Sequence, residues 1–300
     1  MTMRHRTEEI CMGTIDGLDL GTYGIYTFDF EHLPPARMRE TLRELEEQGW
    51  RAFWFPEVGG LEALTQAGHL LAATERLHIV NAIARIGQRT PGATHSGARL
   101  LAEAYPDRHV LGLGVGDMAG KPLAAMATYL DELDALAGRT PIRRVLAAYG
   151  PKMLELARDR ADGAHTYHVP VAHTAQAREI LGPNSFLGVE HAVLFETDPD
   201  RAREIAREHL VPYLSTPYNL AKFHRLGYTE ADTSGGGSDR LVDDLVFWGE
   251  PDSIAARLRA HVEAGADHVA VQVIGIEPGQ TAVAQWRTLA EILLPQPIPA

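Results

Sequence analysis

Three short stretches of the chain carry residue types that could do redox chemistry or hold an anion. The first is Gly112-Leu-Gly-Val-Gly116, followed at once by Asp117. Glycines at the end of an apolar run leave backbone N–H groups free and let another surface come close. Two readings stay open: tight packing at a corner, or contact with a flat or phosphorylated cofactor. A third, the dinucleotide fingerprint over 114–119, needs a helix to open immediately, and Pro122 stands in what would be its second turn. The second stretch is Tyr149-Gly-Pro-Lys-Met153. Pro151 suits the first turn of a helix, and the free N–H groups and dipole of that turn would favour an anion such as phosphate. An ordinary helix start is the alternative. The third is Glu57, directly after Phe53-Trp-Phe-Pro56. A carboxyl at the end of a buried strand would have its pKa raised by desolvation, which makes Glu57 a candidate proton donor. Asp117 is the second candidate, with helix capping as the competing role for either.

The histidines are weaker signals. His165 and His168 are three apart, so on one strand they face opposite sides, and no convergent ligand set is expected. We therefore expect no metal. His95, His209, His224 and His261 fall in helical stretches and read as surface residues.

Something must carry these residues to one place. Short apolar runs alternate with amphipathic stretches along the whole chain. The runs fall at 21–28, 52–57, 77–84, 109–116, 144–149, 163–169, 185–195 and 267–274, rich in β-branched, aromatic and small residues, as in strands buried on both faces. Helices are expected between them, including one over 61–75. Strand–helix alternation implies a parallel sheet with right-handed crossovers. Eight units in 300 residues fit a (β/α)8 barrel, a single α/β domain over 1–300. Residues 1–18 read as an N-terminal extension. Residues 214–248 break the period and read as an insertion between strands seven and eight, with an extra helix over 239–248. In a barrel the active site lies at the C-terminal strand ends, where all three stretches fall.

The composition narrows the function. Net charge is −12, with 40 acidic and 28 basic residues, which opposes nucleic-acid binding. Cys11 is the single cysteine, so neither an internal disulfide nor a multi-thiolate metal site is expected. No apolar run approaches the ~20 residues that span a bilayer, and the first residues lack a signal-peptide core. A cytoplasmic protein with no membrane partner is expected.

In order and spacing, Leu45-Glu-Glu-Gln-Gly-Trp-Arg-Ala-Phe-Trp-Phe-Pro-Glu57, Leu100 to Gly116, Lys121 to Met126, Leu146 to Ala157, Ala161 to His165, Gly237 to Val242 and Ala264 to Gln272 resemble the luciferase-like monooxygenase superfamily. The closer resemblance is to its F420-dependent oxidoreductases of actinobacterial type. The resemblance implies a bacterial-luciferase-type TIM barrel that uses the deazaflavin F420, with FMN as the alternative. It implies a non-proline cis peptide within Asn81, Ala82 and Ile83, supporting the ring. Val115, Gly116 and Asp117 would line the ring, and Ala148, Tyr149, Gly150 and Pro151 would meet the phosphate.

Tyr26, Trp54, Tyr167 and Phe186 would form an aromatic substrate pocket. The implied reaction is hydride transfer with a small organic substrate, Glu57 or Asp117 supplying the proton. An FMN-dependent monooxygenase and a non-catalytic flavin-binding barrel are the other readings. A homodimer and a separate coenzyme-reducing enzyme are the expected partners. Two departures stand out. Relatives that oxidise sugars or alcohols place a histidine after the strand-two acid, where this chain has Val58. The loop after strand four is also short.

Overall fold

Successive apolar side chains of each short run point to opposite faces, and both faces find a core. In the computed structural model, which describes residues 14–295 apart from positions 16, 117, 119, 137 and 139, these runs close into an eight-stranded parallel barrel. The strands are β1 Tyr23–Tyr26, β2 Ala52–Phe55, β3 His78–Asn81, β4 His109–Gly114, β5 Arg144–Ala147, β6 Gly163–Thr166, β7 Phe186–Leu194 and β8 His268–Val273. Closure comes from β8 pairing with β1, Ala270 opposite Gly24. Tyr26, Trp54, Val80, Val110, Val145, Phe186 and Ala270 fill the interior. Ile25, Phe53, Ile79, Leu111, Leu146, Leu187 and Val269 face outward into the larger core against the helices.

The helices are α1 Pro35–Glu47, α2 Ala63–Leu71, α3 Pro91–Ala104, α4 Pro122–Ala135, α5 Pro151–Arg160, α6 Val171–Leu181 and α7 Pro199–Leu214. Three short ones follow: α8 Pro217–Arg225, α9 Glu230–Thr233 and α10 Asp239–Leu245. The ring ends with α11 Pro251–Glu263 and α12 Val283–Leu293. Proline opens most of them because its missing N–H is no loss in a first turn.

Several bounds differ from expectation. The helix expected over 61–75 is confined to α2, where the Glu62 side chain caps the N–H groups of Leu64 and Thr65 at 3.2 and 2.7 Å. The helix expected over 239–248 stops at Leu245, and Val246–Trp248 becomes a strand parallel to the end of β7. Its β-branched and aromatic residues suit a pleated edge. Beside it, Ala202, Ala206 and Leu210 of α7 pack with Phe223, Leu241 and Leu245, so the segment between α7 and α11 has its own apolar seam. Of the expected N-terminal extension, residues 1–13 and 16 lie outside the described residues; Thr14–Ile15 and Leu18–Asp19 form an antiparallel pair. Among the described residues, no helix is long and apolar enough to cross a membrane.

Candidate active site

The site begins with a register fault. β3 pairs with β4 at Ile79–His109 and Val80–Val110. Pairing resumes at Ala84–Leu113 and Arg85–Gly114. Three residues, Asn81 to Ile83, therefore oppose two, which is a bulge. The peptide between Ala82 and Ile83 is cis. The glycines of β4 make room for this bulge. A Cβ on Gly112 would lie 1.7 Å from the Asn81 carbonyl oxygen, and one on Gly114 would lie 2.0 Å from Ile83 Cδ1. Gly112 and Gly114 thus serve packing, and only Gly116, with φ of +59°, reaches the cleft.

That cleft opens over the C-terminal strand ends, with a volume of about 280 Å³. Ala82, Ile83, Val115, Gly116 and Ala147 supply its aliphatic lining. Tyr26, Phe28, Tyr149, Tyr167, Tyr213 and Tyr218 supply its aromatic lining. The Tyr26 hydroxyl donates to the Ala82 carbonyl at 2.9 Å and pins the bulge. Tyr167 and Tyr213 hydroxyls lie 2.6 Å apart, and Tyr167 donates to Gln272 at 3.2 Å. Burial pushes the phenols of Tyr26, Tyr149 and Tyr167 well above their ordinary value, so these hydroxyls keep their protons at neutral pH. His165, between Tyr26 and Trp54, is pushed down to about 3 by burial and is neutral.

Glu57 lines the cleft, yet its oxygens are engaged. It accepts from the N–H groups of Ala63 at 3.1 Å and Arg85 at 2.7 Å, and it pairs with the Arg89 guanidinium. Every partner is a donor that suits the ionised carboxylate. Arg89 gives no local sequence signal, since it stands 32 residues further on.

Other expected residues fall elsewhere. Asn81 is fully buried; its side chain donates to the Ala63 carbonyl at 3.1 Å and meets His109 at 2.8 Å, tying the bulge to its neighbours. Ala148 is buried behind the rim. Trp54 fills the barrel interior, where its indole N–H donates to His268 at 2.9 Å. Phe186 opens β7 and so sits toward the opposite, N-terminal mouth; neither ring lines the cleft. Asp117 lies outside the described residues.

Gly150 is the N-cap of α5, makes no side-chain capping bond, and has open space where a Cβ would stand. Pro151 lines an adjoining pocket with Lys222 and Arg225. Of the histidines read as surface residues, one is internal and another is half-buried. His261 is fully buried between His191 and Thr174, and His209 meets His168 at 3.1 Å. Helical position alone does not say which face meets a neighbour. Sequence reasoning also missed Tyr213 and Tyr218; the only signal was the break in period around them.

Residues 17–121 match the luciferase-like monooxygenase family. A protein of Mycobacterium tuberculosis named as a coenzyme F420-dependent oxidoreductase is 29% identical over 125 residues, 38% of this chain. The chain spans about a third of that relative's length, 34%. Among solved structures, the F420-dependent tetrahydromethanopterin reductase of Methanopyrus kandleri aligns with a TM-score of 0.71 at 15% identity, over 90% of this chain and 97% of that one. An F420-dependent secondary alcohol dehydrogenase aligns at 0.69 and 14% identity, with the same coverage of both chains. The oxygenating constituent of 3,6-diketocamphane monooxygenase from Pseudomonas putida, bound to FMN, aligns at 0.60 and 12% identity, over 90% and 96%. These structures share the fold. The resemblance read from the sequence therefore stands: the chain is similar to the luciferase-like monooxygenase superfamily and to its F420-dependent oxidoreductases.

Proposed function

We propose that the chain is an F420-dependent oxidoreductase that exchanges a hydride with a small organic substrate. The observation that carries this reading is the convergence of the bulge, Val115–Gly116 and Tyr149 on one cleft beside the uncapped start of α5. A flat ring fits the residues present, since the lining combines Ala82, Ile83 and Gly116 with several phenols. The volume suits a ring and substrate fragment more than a whole coenzyme, so an anionic tail would leave across the rim toward Gly150. When bound, a deazaflavin supplies the hydride-carrying carbon. The chain's own residues orient it and exclude water. The protonated phenols hydrogen-bond to carbonyl oxygens without adding charge.

Glu57 we assign to holding the cleft wall through Arg89. Without the Glu57 charge the largely buried Arg89 guanidinium keeps its pairing with Glu62 at 3.0 Å, so the loss is that of one charged hydrogen-bond partner, about 2 kcal/mol. Glu57→Gln should therefore lower unfolding free energy by about that amount in urea titration. Full stability with lost turnover would return Glu57 to the proton-donor role.

The coenzyme test is a fluorescence titration with oxidised F420 and with FMN. Tight F420 binding and weak FMN binding are expected. The reverse ranking would favour the flavin-dependent monooxygenase reading, which the shared fold of the FMN-bound camphane enzyme supports. Binding of neither would remove both.

A further inference from the structure

The wall of the cleft formed by Tyr167 hangs on an unusual backbone turn. After β6 the chain places His168 at φ +48°, a left-handed conformation that a residue with a side chain rarely adopts. Two buried groups hold this turn from opposite sides. From inside the barrel, the Glu190 carboxylate on β7 accepts the His168 N–H at 3.0 Å. From helix α8, the Lys222 ammonium donates to the His168 carbonyl at 3.0 Å and to the Tyr167 carbonyl at 3.3 Å. Glu190 is fully buried and Lys222 is 2% exposed.

Burying two ionisable groups is costly, and cheaper ways to support a turn exist. Burial pushes the Glu190 carboxyl up and the Lys222 ammonium down, each toward its uncharged form. One Glu190 oxygen has no hydrogen-bond partner among the described residues. The arrangement therefore serves something other than stability.

What it fixes is visible in the next layer. The His168 ring packs against Tyr167 and Tyr213, with centroids 4.1 and 4.3 Å away. Those are the two phenols whose hydroxyls meet at the cleft. Lys222 also stands 4.8 Å from the centre of the Tyr149 ring, a third cleft residue. The helix that carries it supplies Tyr218 and Asn219 to the lining.

We propose that Glu190 and Lys222 are positioning residues, which clamp the Tyr167–His168 turn from both sides and so set the phenolic wall of the cleft and dock α8 against it. Neither side chain lines the cleft, so both act through Tyr167. This rests on the cleft being the reaction site, but the test reads ring position without coenzyme. A failed coenzyme titration and a failed clamp are therefore separate results.

The test uses the full chain with its tyrosines labelled as 3-fluorotyrosine, the Tyr167 line being assigned by its absence in Tyr167→Phe. In Lys222→Met and in Glu190→Leu, the Tyr167 fluorine line should shift and broaden. The lines of Tyr105, just past the end of α3, and of Tyr129, on α4, should stay in place. Lys222→Arg, which keeps the donors, should restore the Tyr167 line. The double variant should displace it no further than either single one, because both act on one turn. A folded Lys222→Met or Glu190→Leu with the Tyr167 line unmoved overturns the proposal. If an apolar variant fails to fold, Lys222→Gln and Glu190→Gln give the same readout, and an unmoved line in both overturns it equally.

Discussion

Gly112→Ala is expected to be the most damaging single-methyl change in the barrel. The added carbon would lie 1.7 Å from the Asn81 carbonyl oxygen and 2.9 Å from its carbon. Both are backbone atoms inside the bulge, so no rotamer change relieves the contact. Overpacking of a tight core costs about 1–3 kcal/mol when side chains can shift. Here the register between β3 and β4 would have to move, and we expect a loss above about 3 kcal/mol or failure to fold. Gly150→Ala is the control. Its φ of −82° is ordinary and open space surrounds the missing Cβ; the entropy gained in the unfolded chain and the N-cap preference lost oppose each other, so stability should stay within about 1 kcal/mol of the parent. Urea unfolding of both variants decides the matter. A Gly112→Ala protein within about 1 kcal/mol of the parent would mean that the glycine does not hold the bulge.

The second large effect is acid unfolding. His109, His165, His261 and His268 are buried and held near pKa values of about 4, 3, 3 and 4 by desolvation. His168 and His191 are displaced in the same direction. Each is neutral when folded and takes up a proton near pH 6.5 when unfolded. The stability they contribute is thus complete above pH 6.5 and lost as pH falls toward the folded values. At pH 5.5 each of the first four removes about 1.4 kcal/mol, or about 5.6 kcal/mol together. Glu190, pushed up to about 8 by burial, works the other way and offsets about 2 kcal/mol between pH 7.5 and 5.5. Total stability of a domain is commonly about 5–15 kcal/mol. Lys222, pushed down to about 7 by burial, opposes Glu190 between pH 9 and 7, so the melting temperature should change little there and drop steeply between 6.5 and 5. A melting temperature at pH 5 equal to that at pH 7.5 would refute this account of the histidines.

These two cases show where sequence reading stopped. Gly112 was visible as a glycine with a special role, but two roles competed. The choice between them needed the Asn81 carbonyl, which belongs to another strand. His261 was visible as a helical residue, yet its burial depends on α6 and β7 closing over it. Glu57 was visible as a carboxylate after a buried strand, while its partner Arg89 was not.

The sequence by itself determined the barrel, because strand and helix periodicities are local, and eight alternations of buried strand with helix leave few other arrangements. It also placed the glycine-bearing end of β4 and the Pro151 helix start on the same rim, since that follows from strand direction alone. Only the tertiary structure decided which side chains share the cleft. It moved Trp54 and Phe186 into the interior, brought Tyr213 and Tyr218 in from the segment after β7, and set Lys222 behind them against the Tyr167–His168 turn. Contacts of that kind join residues far apart in the chain, and they are set by the tilt of strands and the packing of helices rather than by any neighbour in sequence.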